Sequence, residues 1–86
     1  RQALSEAASR VRRLGETQIF IEAPYRNDRL LRELVELLPK DLSLCMAVDL
    51  TTESEEIHRM TISEWRQALT RESSWHKRPA IFLIGQ

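Results

Sequence analysis

The chain has 86 residues, 42% of them hydrophobic, and its 13 basic and 13 acidic side chains cancel to a formal net charge of zero. A chain of this length makes one domain with a modest core, and a balanced charge removes the argument for a strongly basic nucleic-acid binder. No apolar run approaches the ~20 residues that a membrane-crossing helix needs, and a single cysteine rules out an internal disulfide.

In chain order, Leu4, Ala7, Ala8, Val11 and Leu14 recur at helical spacing, and Gly15 follows where a helix ends on a left-handed residue. Arg10, Arg12 and Arg13 fall in the last turns of that helix, where they favour the negative end of its dipole. Residues 17–22 read as a strand. Its unbroken run Ile19, Phe20, Ile21 suits a strand covered on both faces and hence internal to the sheet. Directly after it come Glu22, Pro24, Tyr25 and Arg26, at the carboxyl end of a strand, where ligands usually bind in open α/β sheets.

Leu30, Leu31, Leu34, Val35, Leu37 and Leu38 then give a second helix a broad apolar face. Asn27 or Asp28 suits its start, and Pro39 stops it. Residues 42–50, LSLCMAVDL, read as a second internal strand that carries Asp49, Thr51 and Thr52 at its carboxyl end. Cys45 lies within this run, which predicts a buried, inert thiol.

After a polar turn with Glu53, Glu55 and Glu56, residues 57–62 alternate as a third strand, antiparallel to the second because the connection is too short for a crossover. Thr61 with Glu64 matches a capping box, which predicts a short helix carrying Trp65, Ala68 and Leu69. Residues 71–78 read as a mobile polar loop, and Pro79 opens a last apolar strand, AIFLIG. The pattern is helix-β-α-β-β-α-β, an α/β domain with a mixed four-stranded sheet.

Little chemistry stands out from the residues alone. His58 and His76 lack companion ligands at metal spacing, and with only Gly15 and Gly85 there is no Gly-rich phosphate loop. Glu22 and Arg26 are placed to pair with each other across the turn.

The succession TQIFIEAPYRNDRLLRELVELL, CMAVDLTTESEEIHRMTISEW and KRPAIFLIGQ resembles the second half of the tetrapyrrole methylase family, the class III S-adenosylmethionine-dependent methyltransferases. The run Glu22, Ala23, Pro24, Tyr25, Arg26 is similar to the Glu-Ala-Pro-aromatic-Arg motif of the branch that contains a 16S ribosomal RNA ribose methyltransferase. Where that branch carries Ala-Arg-Glu-Leu-Thr, this chain has Ala47, Val48, Asp49, Leu50 and Thr51.

The resemblance implies that residues 1–86 are the carboxy-terminal domain of a longer, cytoplasmic, two-domain methyltransferase. Its partners would be an amino-terminal domain holding the Gly-rich loop, a second copy in a homodimer, and ribosomal RNA as acceptor, with no membrane. S-adenosylmethionine would lie between the domains, contacted through Ile21, Glu22, Ala47, Val48, Pro79 and Ala80, with Tyr25 and Arg26 facing the acceptor. No side chain of this domain is implied to be catalytic. The competing expectations are methylation of a porphyrin-like ring and a non-catalytic dimerisation or binding module.

Overall fold

The structure is a computed structural model that describes residues 2–21, 23, 26–70, 75 and 78–86, with side chains in the first helix described from Glu6 onward. The elements run α1 (Gln2–Leu14), β1 (Gln18–Ile21), α2 (Asn27–Leu37), β2 (Ser43–Val48), β3 (Glu56–Thr61), α3 (Ile62–Ala68) and β4 (Ala80–Gly85).

The helix boundaries follow from local chemistry. Gly15, at φ 68°, closes α1 in the left-handed conformation and donates its N–H to Val11 O at 3.0 Å. The side chain of Gln86 adds hydrogen bonds to the carbonyls of Val11 and Arg12, so the end of β4 also caps this helix. α2 stops where Leu38, at ψ 150°, turns extended before Pro39. The guanidinium of Arg66 on α3 donates to the carbonyls of Val35, Glu36 and Leu38, which would otherwise lack partners at the end of α2. α3 begins with the anticipated capping box: Glu64 N donates to Thr61 Oγ1 at 3.1 Å and Thr61 N to Glu64 Oε1 at 2.9 Å.

The sheet order is β1-β4-β2-β3, with every neighbouring pair antiparallel. Two expectations are corrected here. β1 and β2, joined through α2, do run in the same direction, but β4 fills the slot between them, so the sheet contains no parallel pair and is not mixed. β1 is therefore an edge strand rather than an internal one. Ile19 and Ile21 are 60% and 75% exposed, and only Phe20 turns toward the core. β2 and β4 are internal.

All three helices lie on one face of the sheet. Val11 of α1, Leu31, Leu34 and Val35 of α2, and Ile62 and Trp65 of α3 share a single core with Leu44, Met46, Val48, Phe82 and Ile84. Trp65 spans it and donates its indole N–H to Leu44 O at 2.8 Å, which satisfies the polar end of a fully buried ring. Leu37, expected in the core, is 37% exposed at the last turn of α2.

The opposite face carries the alternate residues of each strand. Register places Ile21, Ile81, Ala47 and Ile57 in one row across the sheet and Ile19, Leu83, Cys45 and Arg59 in the next. Among the described residues no helix covers these rows. Cys45, expected to be buried, is only partly so, because its side chain points to this uncovered face.

Candidate functional site

The carboxyl ends of β1 and β2 and the start of β4 meet at one end of the sheet. There Ile21, Ala47, Asp49, Leu50, Thr52, Pro79, Ala80 and Ile81 line a concavity of about 420 Å³. Its lining is mostly apolar, with Asp49 and Thr52 as the polar residues.

The rim is shaped by the turn between β2 and β3. Asp49 and Thr51 both adopt left-handed backbone angles, φ 52° and 67°. This conformation is common for aspartate but strained for a β-branched threonine. The strain is held by local bonds: Thr51 N donates to Glu55 Oε1 at 2.9 Å, and the Thr52 hydroxyl donates to Asp49 O at 2.7 Å. The turn at Asp49 also ends β2 earlier than the apolar run to Leu50 suggests.

Arg78 locks this turn to the segment entering β4. Its Nε donates to Asp49 Oδ2 at 2.7 Å, one terminal nitrogen to Glu56 Oε2 at 2.6 Å, and the other to Ser54 O at 2.9 Å. Asp49 N completes the tie with Pro79 O at 2.9 Å. These bonds hold the Arg78 guanidinium above its ordinary pKa, chiefly through Asp49 and then through Glu56. The Glu56 carboxyl is lowered from 4.5 to about 2, first by its hydrogen bond with His58 and then by those from Arg78 and Trp75. His58 packs edge-on against Trp65 and Trp75, so it is a packing histidine.

Residues 71–74, 76 and 77, within the stretch read as a mobile loop, lie outside the described residues. Trp75 and Arg78, in the same stretch, are bound into the fold. Trp75 N donates to Asp28 Oδ1 at 2.7 Å, and the side-chain amide of Asn27 donates to the carbonyls of Trp75 and Arg78. Asn27 is thus buried and engaged across the chain, and α2 starts with no side-chain cap.

Of the eight residues singled out from the sequence, Ile21, Ala47, Pro79 and Ala80 line the concavity together. Val48 lies beside them but turns fully into the core. Arg26 is exposed at the start of α2, outside the lining. Glu22 and Tyr25 are outside the described residues, and with Glu22 goes its anticipated pairing to Arg26. Sequence reasoning placed Asp49 and Thr52 at a strand end without giving them a role, and it missed Arg78 altogether. Only the position of Arg78 immediately before Pro79 and the last strand could have drawn attention to it.

A second concavity of about 440 Å³ lies between α2 and α3, lined by Arg32, Val35, Glu36, Arg66 and Leu69. Its guanidinium groups hold backbone carbonyls, Arg66 those at the end of α2 and Arg32 that of Thr70, just past α3, at 3.0 Å, which marks it as a packing groove. Among the described residues no three His, Cys, Asp or Glu side chains gather as a metal set, and no helix is long and apolar enough to cross a membrane. Neither a known protein-family model nor a curated protein sequence matches the chain.

Proposed function

We propose that this chain forms one wall of the cofactor cleft of a cytoplasmic, S-adenosylmethionine-dependent methyltransferase of the tetrapyrrole methylase type, with ribosomal RNA as the acceptor. One observation carries the reading. Ile21, Ala47, Pro79 and Ala80, far apart in sequence and assigned to the cofactor by resemblance alone, line a single concavity at the end of the sheet.

The residues present fit the adenosyl part of the group. Ile21, Ala47, Leu50, Pro79, Ala80 and Ile81 offer an apolar lining, and Asp49 and Thr52 add polar groups to it. Ala47 is paired with Ile57 on one side and Ile81 on the other, so its backbone groups serve the ladder and its side chain is what faces a ring. β1 pairs on one side only, and an edge strand keeps alternate N–H and C=O groups free for a ligand's polar edge. Bound there, S-adenosylmethionine supplies an electrophilic methyl group. The task of these residues is to hold and orient it, since alignment of the reacting atoms provides much of the acceleration in such transfers. Arg26, exposed at the start of α2, is assigned to the anionic acceptor.

The test uses the full-length protein and methyl transfer from labelled S-adenosylmethionine into small ribosomal subunits. Compared with the parent at matched stability, Arg26→Ala should leave cofactor affinity unchanged and weaken acceptor use. Undiminished transfer by the variant would remove Arg26 from the site, and no transfer by the intact protein would remove ribosomal RNA as the acceptor.

A further inference from the structure

Gly85 leaves a gap on the uncovered face of the sheet, where β2 starts and β4 ends, at the opposite end of the strands from the cofactor concavity. It pairs with Ser43 on one side, and a Cβ in its place would stand 3.7 Å from Thr17 Oγ1. The missing side chain opens a concavity of about 260 Å³ lined by Thr17, Ser43, Cys45, Arg59, Leu83 and Gly85. Its upper edge is the neighbouring row, Leu83–Cys45–Arg59.

Every polar side chain of this lining can donate a hydrogen bond: two hydroxyls, a thiol and a guanidinium. None is an acid, and no acidic residue stands in the rows Leu83–Cys45–Arg59 and Ile81–Ala47–Ile57 of the same face. Arg10, Arg12 and Arg78 each hold a carboxylate, and Arg32 and Arg66 hold backbone carbonyls. The side chains of Arg59, Thr17 and Ser43, by contrast, have no hydrogen-bond or ion-pair partner among the described residues. An unpaired guanidinium beside apolar groups is screened less than one standing on a polar surface, so it attracts an anion more strongly.

We propose that this concavity binds a phosphoryl group, as the free ion or as the head of a small phosphate ester. The inference is independent of the methyl-transfer reading. Arg59 supplies the charge and a fork of N–H donors that matches two phosphate oxygens, and Thr17 and Ser43 supply hydroxyl donors to the others. A tetrahedral group with several acceptor oxygens uses all of these donors, whereas a planar carboxylate has only two oxygens to offer them. The volume limits the size. It lies below the ~300 Å³ at which pockets begin to enclose drug-sized ligands, so the phosphate enters and any group it carries stays outside. Glycine at position 85 lets the oxygens approach the strand closely.

Titration of the isotopically labelled chain with inorganic phosphate, and separately with methyl phosphate, at an ionic strength held constant with sodium chloride tests the proposal. Resonances of Thr17, Ser43, Cys45, Arg59 and Gly85 should shift together and saturate at one dissociation constant. Tighter binding of inorganic phosphate would identify the free ion as the ligand, and tighter binding of methyl phosphate a phosphate ester. Arg59 is exposed, so Arg59→Gln should keep the unfolding midpoint and weaken binding by about tenfold or more, the worth of one charge-assisted hydrogen bond. Gly85→Ala brings a methyl group only into ordinary contact with Thr17, so that variant should also fold, and it should weaken binding by filling the gap. Cys45, the single cysteine, gives a second readout. Its maleimide labelling should slow as phosphate is added to the wild type and stay constant in Arg59→Gln. Shifts that do not saturate, that sodium chloride alone reproduces, or that survive both substitutions unchanged would overturn the proposal. S-adenosylmethionine takes part in none of these measurements, so the two readings fail separately.

Discussion

Arg78 is the residue on which the shape of the candidate site depends most, because one guanidinium holds Asp49, Glu56 and the Ser54 carbonyl together. Arg78→Ala should lower the thermal midpoint and, by freeing the turn at Asp49, broaden the backbone resonances of residues 49–55, whereas an arginine that served only solubility would change neither. One of the two carboxylates in this cluster, Glu56, sets a pH dependence whose sign is fixed. Glu56 has a folded-state pKa of about 2 against an ordinary 4.5, so its contribution to stability is complete above about pH 4.5 and is lost as the pH falls through about 2. The thermal midpoint of the wild type should therefore fall across that window, and Glu56→Gln should flatten part of the fall. A variant whose profile parallels the wild type would remove Glu56 as a source of acid lability. None of this cluster was legible in the sequence. Glu56 looked like part of a solvated acidic run and Arg78 like a loop residue, because what joins them is the folding of β4 against β2, a contact with no local signature.

At the scale of elements, the signals that held are those confined to a few adjacent residues. Gly15, Pro39 and the pair Thr61 and Glu64 end or begin helices for reasons contained within one turn of chain, and each acts in the structure as its type dictates. Thr61→Ala should accordingly cost about 1 kcal/mol, the ordinary worth of an N-cap hydroxyl, read as a shift in the denaturant midpoint. Leu34, fully buried on the inner face of α2, should cost roughly 2–5 kcal/mol on truncation to alanine, and a midpoint unmoved by Leu34→Ala would show that α2 does not pack as described. The place of β1 could not be read in this way. Its run Ile19, Phe20, Ile21 does indicate two apolar faces, but an exposed apolar face and one covered by helices give the same sequence. Strand order depends on β4, which arrives last and takes the slot between β1 and β2.

At the scale of the whole molecule, the helices form one layer, the sheet another, and the candidate site lies at the end of the sheet. Changes of composition marked the strand ends near Glu22 and Asp49, whereas Ile21, Ala47, Pro79 and Ala80 were singled out by resemblance alone. The concavity itself was not visible, because it depends on the contact between the turn at Asp49 and Pro79, which are far apart in sequence. A concavity with one wall leaves much of a bound cofactor in water, so the isolated 86 residues should bind S-adenosylmethionine only weakly and methylate nothing. Calorimetry that gave a micromolar dissociation constant for this chain alone would contradict the need for a second wall. The most direct test of the central claim is a titration of the isotopically labelled chain with S-adenosylmethionine at millimolar concentration, followed residue by residue in amide and methyl spectra. The account predicts shifts that saturate weakly and cluster on Ile21, Ala47, residues 49–52, Ala80 and Ile81. Shifts confined to the groove between α2 and α3, or no shifts at all, would contradict it.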